Sequence, residues 1–215
     1  MSDRPPVLPY SAEVQRKALH LMAVVIPLGI LLLGRTVALA VLGPMAAVAL
    51  LGDWLRAREG WPRRLIHRVF APIMRPEELP PPGPVAWNGA TMMTTAAALC
   101  VLFFPASVAA AALLMQMIGD AAAALVGRRY GRTRYPGSPK SAEGSAAFFA
   151  AALVSAAPLL WWPEATPGTG LTPFALVAGA LAATVTEAVR LPLNDNLRVP
   201  LTAGAAMLLA GALGP

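Results

Sequence analysis

The chain is poor in the side chains that carry most soluble chemistry. It has one cysteine and two histidines among 215 residues. Cys100 is alone and lies inside an apolar run, which excludes an intrachain disulfide and a cysteine metal site. His20 and His67 have neither zinc-ligand spacing nor a Ser-His-Asp set around them. Charge is scarce as well: 13% of residues are Asp, Glu, Lys or Arg, against 57% apolar. That balance excludes a disordered chain and indicates a membrane protein. No internal repeat is visible, and the Gly-x4-Gly-Lys-Ser/Thr spacing of a P-loop is missing. The first apolar run lacks a clear small-residue cleavage site and is followed by others. It is expected to be a retained helix rather than a removed signal.

What the chain has is long apolar runs. Seven can be drawn, at about 18–34, 36–52, 88–104, 106–127, 144–162, 171–189 and 198–213. Each approaches the roughly 20 residues needed to cross a hydrocarbon core. Runs this long and unalternating are helices, not barrel strands. The expected fold is all-α: one polytopic bundle of about seven transmembrane helices, with residues 1–215 forming a single catalytic domain. Gly34-Arg35-Thr36 is expected to turn the first run tightly into the second, and Pro105 to break the third from the fourth.

The net charge of +6 raises the question of nucleic acid, but the placement of the charges answers it. All but one of the 17 lysines and arginines fall on one side of a seven-span arrangement, and the exception is Arg35. The positive-inside rule then predicts a cytoplasmic N-terminus and a membrane partner, not a nucleic acid. Residues 53–84 form the longest cytoplasmic segment. Trp54, Leu55, Trp61, Leu65, Ile66, Val69 and Phe70 lie there among arginines, as in an amphipathic helix on a membrane surface. Pro80 to Pro84 end it.

Asp120 closes an apolar run, and an ionisable group at membrane depth marks a functional site by default. It has two readings. In one it caps a helix or pairs with Arg128; in the other it holds Mg²⁺, which favours one or two carboxylates plus phosphates. Gly119, Gly127 and Gly131 flank it and allow close backbone approach to a ligand. Arg128, Arg129, Arg132 and Arg134 serve either as positive-inside charges or as anion ligands. Then comes Lys140-Ser141-Ala142-Glu143-Gly144-Ser145. Ser141 with Glu143 fits a helix start. A lysine does not favour that place, so Lys140 is expected to face an anion. Residues 128–143 are read as a cytoplasmic nucleotide-binding loop. Glu187, Arg190 and Asp195-Asn196 lie on the same side, either as a loop-surface ion pair or as acids brought beside Asp120. Asn88 is expected to cap the third helix, and Asp53 closes the second.

Gly119-Asp120…Gly127-Arg128…Gly131-Arg132…Lys140-Ser141-x-Glu143-Gly144-Ser145 resembles the CTP-using membrane family of dolichol kinase, phytol kinase and yeast-type diacylglycerol kinase. Glu13-x-x-Arg16-Lys17-x-x-His20, Asn88-Gly89-Ala90-Thr91 and Glu187…Leu191-Pro192…Asp195-Asn196-Leu197-x-Val199-Pro200-Leu201 extend the resemblance through most of the chain. Ser138-Pro139-Lys140-Ser141-Ala142-Glu143-Gly144 is also similar, more distantly, to a turn of phosphatidate cytidylyltransferases, whose C-terminal signature is missing here.

The resemblance implies a kinase with CTP as donor and a membrane lipid alcohol as acceptor: a polyprenol, a phytol-like alcohol or diacylglycerol. It implies catalytic roles for Asp120, Lys140, Glu143 and Asp195. Nucleotide contacts would come from Gly127, Arg128, Gly131, Arg132, Lys140, Ser141 and Gly144, and Mg²⁺ ligands from Asp120, Glu187 and Asp195. The protein is then expected in the cell's inner or plasma membrane with its site facing the cytoplasm, and the reading leaves room for a homodimer. Two alternatives stand beside it: a CDP-lipid synthase, and a non-enzymatic transporter or scaffold.

Overall fold

Proline and glycine punctuate the helices much as the sequence indicates. The structure, a computed structural model, describes residues 21–70, 83–162 and 171–213. The N-terminal Glu13–His20 motif, Arg75 and most of the Pro80–Pro84 stretch lie outside the described residues. The first helix, α1, spans Val25–Arg56, with non-helical geometry at Gly34 (φ 76°, ψ 168°). A positive φ there suits glycine, and it falls where a turn between two runs is expected. Helical stretches on both sides reach the core: Pro27, Ile30 and Leu31 before the break, Ala38, Leu42 and Ala46 after it.

A short helix, α2, follows at Trp61–Phe70. Helix α3 spans Gly89–Phe103 and is capped by Asn88, whose side chain accepts from the Ala90 amide at 2.7 Å. Pro105 then stands at the start of α4, Ala106–Tyr130. Ser141 caps α5, Ala142–Ala156, by accepting from the Gly144 amide at 3.2 Å. A 3-10 turn, Ala157–Trp161, prolongs α5. Helix α6 spans Pro173–Ala188 and α7 spans Asp195–Leu213. Among the described residues there is no strand, only an isolated antiparallel bridge between Arg134 and Ser141.

Among the described residues four helices are long and apolar enough to cross a membrane: Val25–Arg56, Ala106–Tyr130, Ala142–Trp161 and Asp195–Leu213. Helices α3 and α6 are apolar but have 15 and 16 residues. At about 1.5 Å per residue each falls short of a core about 30 Å thick. Helix α4 is the hub. Ser107 to Met117 are all buried, and the helix touches α1, α3, α5, α6 and α7. Small residues permit that closeness, as is usual where apolar helices pack without a hydrophobic drive between them. A Cβ on Gly204 would lie 2.2 Å from the Phe104 ring, and one on Gly179 2.5 Å from the Met207 side chain. The bundle's outside is apolar as well: Leu32, Val48, Val154, Phe174 and Leu209 are exposed. An apolar exterior around an apolar core is what lipid, not water, favours.

The helices alternate in direction, so six helix termini meet at one end. There the end of α1 meets the start of α3, because the Asn88 amide donates to Asp53 Oδ2 at 2.7 Å. The start of α7 meets α3, because Asn196 Nδ2 donates to the Gly89 carbonyl at 3.1 Å. Arg35, the one cation the charge sorting sets apart, is at the opposite end. Its Nε donates to the Val101 carbonyl at 2.9 Å and its Nη2 to that of Leu102, closing the far end of α3.

Candidate active site

The loop between α4 and α5 folds as a small pinned hairpin. The Ala142 amide donates to the Thr133 carbonyl at 2.9 Å and the Tyr135 amide to that of Lys140 at 3.1 Å. The turn between them holds Pro136 and Gly137, with the Ser138 amide donating to the Tyr135 carbonyl at 3.0 Å. Gly137 has φ 66°, as the third position of a type II turn requires after proline. Arg134 reaches the Pro139 carbonyl, and Arg190 from beyond α6 reaches that of Gly137. This anchoring holds Lys140 where α6 ends and α7 begins.

Lys140 is the centre of the site. Its Nζ stands 2.9 Å from Glu187 Oε1 and 2.9 Å from Asp195 Oδ2, and it also donates to the Glu187 carbonyl. An ammonium has three N–H donors, and these acceptors take all three. Asp195 is held from its other side by Arg198, whose Nε donates to Oδ1 at 2.9 Å. Arg198 is buried and also donates to the Thr186 and Val189 carbonyls. Those are among the carbonyls that a helix end leaves unsatisfied. One arginine therefore closes α6 and fixes the acid that opens α7. Asp195 also lies in the first turn of α7, where a carboxylate suits the helix dipole.

Asp120 is half-buried on α4, about three turns before its end, and close enough to Glu187 to interact electrostatically with it. At one end of the bundle Lys140, Glu187 and Asp195 thus form one ion-pair cluster, with Asp120 in electrostatic reach of Glu187. Glu143 goes elsewhere: both its carboxylate oxygens accept from the Thr133 amide, at 3.0 and 3.2 Å. It braces the hairpin. Arg128 is half-buried, Arg132 is exposed, and Arg129 lies over the Tyr130 ring at 5.4 Å.

The glycines Gly127, Gly131 and Gly144 meet protein. A Cβ on Gly131 would lie 2.2 Å from the Gly127 carbonyl oxygen and 2.5 Å from Ser141 Oγ. One on Gly144 would lie 3.1 Å from the Ala123 carbonyl oxygen and 3.4 Å from Gly127 Cα. Here the missing side chains let α4 and α5 touch backbone to backbone around Ser141. Gly119 gives way in the same manner to Phe148, whose ring would stand 2.9 Å from a Cβ there.

Two residues join the site without a signal in their own spacing. Gln116 is buried within α4, and its Nε2 donates to Asn196 Oδ1 at 3.2 Å. Its Oε1 is buried without a partner among the described residues. Arg198 reads in the sequence as one more loop cation, and only the fold turns it inward.

A second polar cluster lies at the same end. Arg56 Nη2 donates to Asp53 Oδ1 at 2.8 Å and to the Ala86 carbonyl at 2.6 Å. Both side chains of this pair are buried.

Among the described residues no group of three or more His, Cys, Asp or Glu stands close enough to hold a metal ion. The acids at the site supply oxygen donors, the kind Mg²⁺ prefers, and it commonly takes only one or two carboxylates, with phosphate oxygens and water as its other ligands.

No known family profile and no solved structure matches the chain. The chain is similar to two known proteins. Over 83 residues, 39% of this chain, it is 35% identical to dolichol kinase of Saccharomyces cerevisiae, and the match spans 16% of that protein's length. Over 195 residues, 90% of this chain and 92% of the other, it is 28% identical to an uncharacterised protein of Rickettsia prowazekii.

Proposed function

We propose that the protein is a membrane lipid kinase that transfers the γ-phosphoryl group of CTP to the hydroxyl of a polyprenol, a phytol-like alcohol or diacylglycerol. One observation carries this reading. Lys140 joins Glu187 and Asp195, 47 and 55 residues away in sequence, beside Asp120 at one end of an apolar bundle. The partial similarity to a dolichol kinase adds support.

Phosphoryl transfer needs positioning and charge neutralisation more than covalent chemistry. Asp120 accepts the proton of the lipid hydroxyl as its oxygen bonds to the γ-phosphorus. The bond from that phosphorus to the bridging oxygen breaks, and CDP leaves with the electron pair. Arg128 and Arg132 neutralise the phosphates. Lys140 sets the distance between Glu187 and Asp195, and Arg198 holds Asp195 in place. Glu187, with phosphate oxygens and water, would hold Mg²⁺, which would supply charge neutralisation when bound. The seven-span arrangement, with N-terminus and site on the cytoplasmic face of the inner or plasma membrane, is part of the same proposal. The lipid enters sideways between helices.

The test is purified protein with labelled CTP or ATP and a panel of lipid alcohols. The expected products are a phospholipid and CDP. Pyrophosphate with a CDP-lipid would replace the kinase with a cytidylyltransferase. Orientation is checked by Tyr135→Cys in a Cys100→Ala background, which should resist an impermeant thiol reagent outside intact cells.

A further inference from the structure

Helix α2 has two faces. Pro62, Arg63, Ile66 and His67 are partly buried, and Arg63 Nη1 donates to the Arg56 carbonyl at 2.7 Å, tying α2 to the end of α1. The other face is open. Trp61, Leu65 and Val69 are 68%, 52% and 56% exposed, one helical turn apart, and the exposed Arg64 and Arg68 stand between them. Apolar side chains in register with arginines suit neither plain solvent nor a protein core. They suit the boundary between headgroups and acyl chains.

The position of α2 points to the same place. Trp61 lies five residues beyond the end of α1, which is long and apolar enough to span a membrane. Five residues reach at most about 17 Å. The chain also returns to the same point, because the Gly83 amide donates to the Ala57 carbonyl at 3.0 Å. Both ends of the excursion are therefore pinned at the end of a span. Trp54, in the last turns of α1, is partly exposed and carries the Arg58 guanidinium 3.6 Å from its ring centroid. Tryptophan and arginine are the residues that mark a membrane interface. Between 57 and 70 the chain has four arginines and one acid, Glu59.

We infer that α2 docks on the membrane surface through anionic lipid headgroups, with Trp61, Leu65 and Val69 inserted and Arg64 and Arg68 meeting lipid phosphates. This site is separate from the kinase site and does not depend on the kinase reading.

The test uses the full chain in lipid nanodiscs, with Leu65→Cys in a Cys100→Ala background carrying an environment-sensitive fluorophore. In discs of phosphatidylcholine mixed with phosphatidylglycerol, a lipid-borne quencher should reach the label and aqueous acrylamide should not. In phosphatidylcholine alone, or at high salt, acrylamide should gain access. An arginine near an anionic leaflet contributes about 1 kcal/mol. Arg64→Gln with Arg68→Gln should therefore lower the ratio of docked to undocked α2 by about 30-fold. The lipid comparison needs no arginine change, so a misfolded double variant does not blunt the test. Equal acrylamide access in both lipids would overturn the inference. So would protection from both quenchers that grows with protein density, which would assign the face to a second copy of the chain.

Discussion

Two ion-pair clusters share one end of the bundle and differ in construction. Asp53 and Arg56 are three residues apart on one helix, 5% and 3% exposed, and their remaining bonds go to backbone at Asn88 and Ala86. Lys140, Glu187 and Asp195 come from three parts of the chain and remain partly open, with Lys140 at 23% and Asp195 at 37% exposure. The first cluster is closed and local, and it joins α1 to α3. The second is open and long-range, and it gathers carboxylates beside arginines. A closed pair stabilises the fold, whereas an open one leaves room for a ligand. Substitutions in the two should therefore separate stability from turnover.

The largest effect is expected at Asp120. Asp120→Asn keeps the shape and removes the charge. If Asp120 takes the hydroxyl proton, turnover falls by about 100- to 10,000-fold, the usual worth of a positioned base. Thermal unfolding in detergent should barely move. Near-normal turnover would remove Asp120 from the chemistry and erase the contrast between the clusters.

Asp53→Ala probes the other side. Removing one partner of a buried pair leaves an uncompensated charge and costs about 3–5 kcal/mol. Among the described residues Arg56 would keep its bond to Ala86, and its Nε and Nη1 already lack partners there. The expected result is a much lower unfolding midpoint with nearly unchanged turnover per folded molecule. A loss of turnover at full stability would make Asp53 part of the site.

The sequence made some of this legible. Pro105, Asn88 and Ser141 mark helix boundaries because their local chemistry acts within a few residues. Sorting loops to one side of a bundle places the segments that carry Asp120, Lys140, Glu187 and Asp195 at one end, but does not reveal the ion pairs of Lys140. Other features were hidden. An apolar run does not say which face meets which helix, so the inward turn of Arg198 and the Gln116–Asn196 contact could not be read. At the glycines around Ser141 spacing alone cannot tell a ligand from a neighbouring helix as the reason for a missing Cβ. Glu143 lies next to the Lys140 turn in sequence, yet its side chain serves Thr133.

Lys140 tests how far the open cluster is structural. All three of its donors are engaged by Glu187 and Asp195. Lys140→Ala leaves two acids close together with Arg198 opposing them, and turnover should fall by about 100-fold, as for loss of one charge-stabilising donor. Lys140→Arg should recover part of it, because a planar fork replaces a compact ammonium poorly. The stability loss should be smaller than for Asp53→Ala, since Asp195 is open to water. Full recovery by arginine would show that charge alone matters here.

The smallest effect, and the finest division between the clusters, is at Asn88. It belongs to the closed cluster through its amide, which donates to Asp53, and it caps α3 through its side chain. It also precedes Gly89, whose carbonyl accepts from Asn196 beside the open cluster. If Asn88 is only a cap, Asn88→Ala costs about 1 kcal/mol. Asn88→Ser, a comparable cap, should then restore both stability and turnover. If the amide of Asn88 also meets substrate, serine should restore the unfolding midpoint and leave turnover low. Measuring both quantities in both variants distinguishes the outcomes, because capping needs only a short acceptor while a substrate contact depends on the reach of the longer side chain.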